Sequence, residues 1–153
     1  IPVLLYDRQR RIVAAVHAGW RGTVNRILAK TLHRMQSAYG TEGTDVIACI
    51  GPGISLDSFE VGDEVYEAFR TENFPMEYIS VWKPETHKYH IDLWAANRLQ
   101  LSDFGVPPRQ IENAGICTYR QHEDFFSARR LGIKSGRILS GIMLNGQEKG
   151  ERK

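Results

Sequence analysis

The chain has 153 residues, with 20 basic against 18 acidic side chains, 42% of it hydrophobic and 25% charged. That is the composition of one ordinary globular domain, which excludes the disordered, collagen-like and coiled-coil classes. A net charge of +2 with both signs interspersed gives no ground for binding nucleic acid or an anionic membrane, and no apolar run approaches the roughly 20 residues that span a bilayer.

In chain order, Ile1–Tyr6 is a short apolar strand and Asp7–Arg11 a polar turn. Ile12–Val16 is a second strand, apolar on both faces, which predicts a central place in its sheet. His17 follows at once, then a glycine-punctuated turn into a strong helix. In that helix Val24, Ile27, Leu28, Thr31, Leu32 and Met35 share one face, and Gly40 is the stop. Asp45–Ile50 is a buried strand running into the turn Gly51-Pro52-Gly53. Val61–Arg70 reads as a helix with Val61, Val65 and Phe69 on one side, and Tyr78–Trp82 and Lys88–Ile91 as strands flanking a turn. Asp92 suits the N-cap of a helix through Asp103, with Gly105 beyond it. Ile111–Cys117 and Arg137–Leu144 are the last strand candidates, separated by the polar loop Thr118–Ser135. This order predicts a mixed α/β or α+β domain with helices covering a sheet.

The most informative stretch is the corner after the second strand. The strand end holds His17, while Gly19 and Gly22 let a ligand approach the backbone. Thr23 is a possible helix cap, the helix start offers unpaired N–H groups to an anion, and Arg21 beside it suits phosphate or carboxylate. A structural histidine with Arg21 in a surface ion pair is the alternative, because the corner matches neither a P-loop nor a dinucleotide fingerprint. His87 and His90 read as exposed hairpin residues, His33 and His122 as solvated. Cys49 reads as core, and Cys117 is either packed or facing a site. Two cysteines so far apart make neither a disulfide scaffold nor a CxxC metal clip, which predicts reduced thiols in the cytoplasm.

Seven strings, IPVLLYD, VAAVHAGWRGT, ACIGPGISLDSFEVGDEV, HIDLWAANRLQL, GICTY, FFSARRLGIKSGR and ILSGIML, together resemble the YfiH-like family. Its members are known historically as polyphenol oxidases or laccase-domain proteins, and more recently as purine nucleoside phosphorylases with adenosine deaminase activity. The resemblance implies an α+β fold, a mixed α/β layered sandwich of the cysteine-hydrolase-like type shared with toxin deamidases. It implies one metal, zinc or copper, held by two His and one Cys, which is zinc's catalytic arrangement with one position open. His17 in HAGWRGT matches the second His. The Cys of the family belongs to an Asp-Cys pair directly before the I/V-P-V-L-L string, hence immediately upstream of Ile1, with the first His further upstream. Residues 1–147 are therefore expected to be the C-terminal major part of one such domain, with 148–153 a charged tail, and the 153-residue chain alone is expected to be inactive.

The activity so implied is phosphorolysis of purine nucleosides to base and ribose 1-phosphate, with deamination of adenosine. His17 and Arg21 are the catalytic candidates, and Gly19, Gly22, Thr23 and Arg129 the candidates for substrate and phosphate, with Arg130 assisting. Arg21 and Arg129 are assigned from charge and position. The alternatives are a cysteine-hydrolase-type amidase or deamidase, as in peptidoglycan precursor editing, and a non-catalytic metal-binding module. Laccase chemistry is a weaker reading, since one mononuclear site lacks a multicopper cluster.

Overall fold

A computed structural model describes residues 1–146 of the chain. Strands β1 (Pro2–Asp7) and β2 (Ile12–His17) form an antiparallel hairpin with Pro2 opposite His17. The buried Asp7 carboxylate closes its turn, accepting the backbone N–H groups of Gln9 and Arg10 at 3.0 and 2.9 Å. β3 (Val46–Ile50) pairs antiparallel with β1, and β7 (Ile111–Asn113) pairs parallel with β3, giving the order β2-β1-β3-β7.

The two-residue period of a strand then sorts the side chains. Val3, Leu5, Val16, Ala48 and Ile50 point inward and are buried, and the register puts Leu4, Tyr6, Ala15, Ile47 and Cys49 together on the opposite, outer face. The inner face meets α2 (Ile27–Tyr39) through Leu28, Leu32 and Met35, and α5 (Leu93–Asp103) through Ala96 and Leu101, all in one core. Each buried Val, Leu, Ile or Met side chain among them is worth about 1.5–3 kcal/mol. A second, three-stranded sheet consists of β4 (Glu60–Val61), β5 (Ser80–Lys83) and β6 (Lys88–Ile91) in the order β4-β6-β5. Helices α3 (Asp63–Thr71) and α4 (Met76–Ile79) pack beside it. The whole is a mixed α+β arrangement, and among the described residues no helix is long and apolar enough to cross a membrane.

Several local expectations hold. Gly40 ends α2 in the left-handed region at φ 71°. Asp92 caps α5, its side chain accepting the Ala95 N–H at 2.9 Å, and Gly105 follows at φ 95°.

Others are corrected. β2 is not central: among the described residues it pairs with β1 alone and lies at the sheet edge. Its apolar outer face lines a cleft, which also demands apolar side chains. The long helix predicted after His17 is two helices, α1 (Trp20–Val24) and α2, because Arg26 between them is left-handed at φ 57°, ψ 37°. Ile27 consequently turns outward, 37% exposed, and leaves the face where Leu28 and Leu32 lie buried. Thr23 is inside α1 and Gly19 holds the N-cap position, so Thr23 is no cap. Val61 belongs to β4, and Tyr78 to α4.

The strand predicted over Ile111–Cys117 ends at Asn113, and Cys117 rejoins the sheet only as an isolated bridge to Gly53. Arg137–Leu144 forms no strand, since no strand lies beside it among the described residues; Leu139 and Met143 are 98% and 82% exposed. Cys49 is exposed on the outer sheet face rather than buried. His90 is buried rather than exposed. Residues 148–153 lie outside the described residues.

Candidate active site

His17 is the last residue of β2, exposed, on the outer face of the sheet. Its backbone is held where strand becomes helix: the next residue, Ala18, donates its N–H to the Ile1 carbonyl at 2.7 Å. Gly19 follows in an extended conformation at φ −64°. A Cβ there would lie 3.2 Å from His17 Nε2, so glycine leaves the imidazole its room. Gly22 plays a different part, since a Cβ there would press on Ile27 Cγ2 at 3.2 Å. Its smallness serves the packing of α1 against α2 rather than a ligand.

His17 opens on a cleft of about 510 Å³, the size of a small-molecule pocket. Its floor is the outer sheet face at Pro2, Leu4 and Ala15. Phe126, Ser127 and Arg129 form the facing wall, and the irregular segment around Ile138 and Leu139 the roof. Short helix α6 (Ala128–Leu131) presents Arg129, with Ser127 Oγ accepting the Arg130 N–H at 3.4 Å as its cap. Arg129 also borders a second, polar cavity of about 440 Å³ lined by Glu60, His90 and Arg120. Its guanidinium donates to the Glu60 carbonyl at 2.8 Å and lies 5.3 Å from the Phe59 ring centre.

The structure thus brings His17 and Arg129 to one cleft and leaves the other candidates outside it. Arg21 is exposed, with its guanidinium 4.4 Å from the Trp20 ring centre, and does not line the cleft. Arg130 turns to Tyr119, donating to its hydroxyl at 3.4 Å. Thr23 is fully buried with its hydroxyl donated to the Ala18 carbonyl at 3.1 Å, so it touches no substrate. A five-residue α1 also offers an anion little dipole, which weakens the phosphate cradle expected there.

Cys117 is buried and held by two serines that sequence reasoning missed. Ser55 donates to Sγ from its hydroxyl at 3.1 Å and its N–H at 3.4 Å, and Ser58 Oγ lies 3.5 Å away. Burial pushes this thiol up, but the serine donors and the Arg120 N–H outweigh burial and bring it down to about 7. Nothing local in sequence announces this, because Ser55 lies 62 positions away. The cleft floor follows from the strand register: Ala15 is in phase with His17, and Leu4 and Pro2 pair with them.

For a metal, His17 offers an exposed imidazole that makes no hydrogen bond among the described residues, which suits one donor. Among the described residues there is no group of three or more His, Cys, Asp or Glu placed to hold an ion. Cys117 is committed to Ser55 and Ser58, and Cys49 sits on the outer face of β3. These residues alone do not complete the two-His, one-Cys set.

Residues 1–145 match the family described as multi-copper polyphenol oxidoreductase laccase. The chain is 63% identical over 145 residues to a purine nucleoside phosphorylase of Bacteroides thetaiotaomicron, covering 95% of this chain and 54% of that protein. It is 49% identical over 142 residues to adenosine deaminase RL5 of an unknown prokaryotic organism, covering 93% and 54%. The crystal structure of Bacillus licheniformis hypothetical protein YfiH superposes with a TM-score of 0.77 at 33% identity, covering 84% of this chain and 48% of that one. The chain spans about half the length of these relatives. Matched along almost its whole length, it belongs to the laccase-like family of YfiH proteins.

Proposed function

We propose that this chain forms the His17 side of the active site of a purine nucleoside phosphorylase that also deaminates adenosine. The substrates are purine nucleosides and phosphate, and the compartment is the cytoplasm. The observation that carries the reading is the cleft, which His17 and Arg129 both line over an apolar floor. The names of the relatives supply the substrate class.

In this reading the nucleoside base lies on Pro2, Leu4 and Ala15, with Phe126 across from it, as an apolar floor and an aromatic wall suit a heteroaromatic ring. Arg129 binds phosphate, since a guanidinium offers paired donors to its oxygens. Arg21, Gly19 and Gly22 act around His17 as supports of the corner, Arg21 from outside the cleft.

His17 is one donor to a metal, zinc or copper, whose Lewis acidity would aid deamination. The further Cys and His that the family resemblance calls for lie outside the described residues. In the strand register Pro2 is opposite His17, and the Ile1 carbonyl accepts the Ala18 N–H beside it. The finer fold type is the cysteine-hydrolase-like layered sandwich, which fits a sheet whose helices pack on its inner face. Residues 1–147 are then the larger, C-terminal part of one domain.

The test incubates the natural full-length protein, metal-replete, with inosine or adenosine and phosphate. Free base and ribose 1-phosphate are expected, and their absence sinks the reading. His17→Ala should abolish both turnover and metal binding; stoichiometric metal retained by that variant would contradict the ligand role.

A further inference from the structure

We propose that Asn97 is a positioning residue for His17, acting through the Thr23 hydroxyl and the Ala18 carbonyl. The proposal rests on the reading of His17 as a working side chain of the cleft.

The corner after His17 has little to stiffen it from within. α1 is five residues long and is cut off from α2 by the left-handed Arg26, and so short a helix is unstable on its own. Thr23 is the peg that holds it. Its N–H donates to the Gly19 carbonyl at 2.8 Å and its hydroxyl to the Ala18 carbonyl at 3.1 Å. From α5, Asn97 Nδ2 donates to Thr23 Oγ1 at 3.1 Å, and Gln100 Nε2 to the Thr23 carbonyl at 3.3 Å. Gln100 Oε1 meanwhile accepts the Ala29 N–H at 3.1 Å, in the first turn of α2. One side chain thus splices the ends of the two helices across the break.

The chemistry of Asn97 decides which way the Thr23 hydroxyl points. Nδ2 serves Thr23 Oγ1 and the Leu93 carbonyl at 2.8 Å, while Oδ1 stays buried without a partner. A flipped amide would set its oxygen 2.8 Å from the Leu93 carbonyl, a pure acceptor, so the orientation holds despite that orphan. A hydroxyl has one proton. Because Asn97 arrives as a donor, the Thr23 proton goes to Ala18. The Ala18 peptide is then fixed at both ends, its N–H on Ile1 and its carbonyl on Thr23, and His17 is bonded directly to it. Thr23 and Asn97 are both fully buried, so the chain of contacts is closed to bulk solvent.

Asn97→Asp keeps the shape and reverses the polarity. The carboxylate draws the Thr23 proton and frees the Ala18 carbonyl. Thr23→Val keeps the volume and removes the hydroxyl, and Thr23→Ser restores it. The readouts are the NMR resonances of the His17 imidazole, thermal stability, and kcat/KM for phosphorolysis, all in the natural full-length protein. Asn97→Asp and Thr23→Val should both shift the His17 resonances and lower kcat/KM about tenfold or more, since even ~1 Å of misplacement is that costly. Thr23→Ser should keep both within about twofold of the wild-type values, and the double variant should lose little beyond either single one. Unmoved His17 resonances in a destabilised variant overturn the proposal. If Asn97→Asp does not fold, the contrast between Thr23→Val and Thr23→Ser decides alone. A wild-type protein without nucleoside turnover refutes the functional reading and leaves the resonance test standing.

Discussion

Gly19→Ala separates the placement of His17 from the stability of the fold. The backbone at Gly19, φ −64° and ψ 171°, is ordinary extended geometry, so alanine meets no conformational strain. At the helix start alanine is a few tenths to ~1 kcal/mol worse than glycine. Its smaller freedom in the unfolded chain returns about 0.4–1 kcal/mol. The two nearly cancel, and the thermal midpoint should move by no more than about 4 °C. The site responds differently, because the new methyl stands 3.2 Å from His17 Nε2, inside the ~3.5–4.0 Å of comfortable contact. The imidazole, the far end of a flexible side chain, has to give by a few tenths of an ångström. With the reacting geometry displaced by that much, kcat/KM should fall severalfold, less than the ~10²-fold that a ~1 Å misplacement can cost. Differential scanning fluorimetry and phosphorolysis kinetics on one preparation check both halves. Wild-type activity in a variant of wild-type stability would refute the argument that Gly19 makes room for a working imidazole.

Cys117 predicts a pH signature. Its thiol is held at about 7, below the ordinary 8.5 or so, hence it stabilises the fold fully above the unfolded value and loses that contribution as pH falls through 7. Lowering the pH from 9 to 6 should cost up to ~2 kcal/mol in denaturant unfolding, and Cys117→Ala should remove the slope. Asp7 is likewise held low, burial being outweighed by the Arg10 and Gln9 N–H groups, the Thr41 hydroxyl and the Arg10 charge; Asp7→Asn should flatten the acid limb of stability below about pH 4. Asp92→Ala should cost about 1 kcal/mol through the lost cap of α5, measured by urea unfolding. Gly43→Ala would set a Cβ 2.5 Å from the Gly105 carbonyl carbon and 2.6 Å from the Phe104 oxygen, both backbone, and should cost about 1–3 kcal/mol or more.

What could be read from the sequence was local. The first two strands with the turn between them, the Gly40 stop and the Asp92 cap each depend on residues within a few positions of one another, and all formed as expected. The break at Arg26 escaped because neither glycine nor proline marks it; an arginine takes the left-handed turn. Apolarity on both faces of Ile12–Val16 left open whether the outer face meets protein or a cleft, and Cys49 was misjudged for the same reason. His17 and Arg129 were singled out from their neighbours in sequence, and both line the cleft. The neighbours of Cys117 and the pairing of Thr23 with Asn97 were not, since they join positions 62 and 74 apart. Burial of His90 depends on a similar long-range closure, its Nδ1 meeting the Leu56 carbonyl 34 positions away at 2.9 Å.

The two sides of the cleft also differ in when they can be made. The floor is a hairpin of neighbours in the chain, completed by β3 at Ile50, and hairpins close in about 1–10 μs. The roof comes from residues around Ile138 and Leu139. At roughly 5–20 residues synthesised per second, those residues emerge on the order of ten seconds after β3. The roof therefore reaches the cleft about one to ten million hairpin closing times after its floor can form.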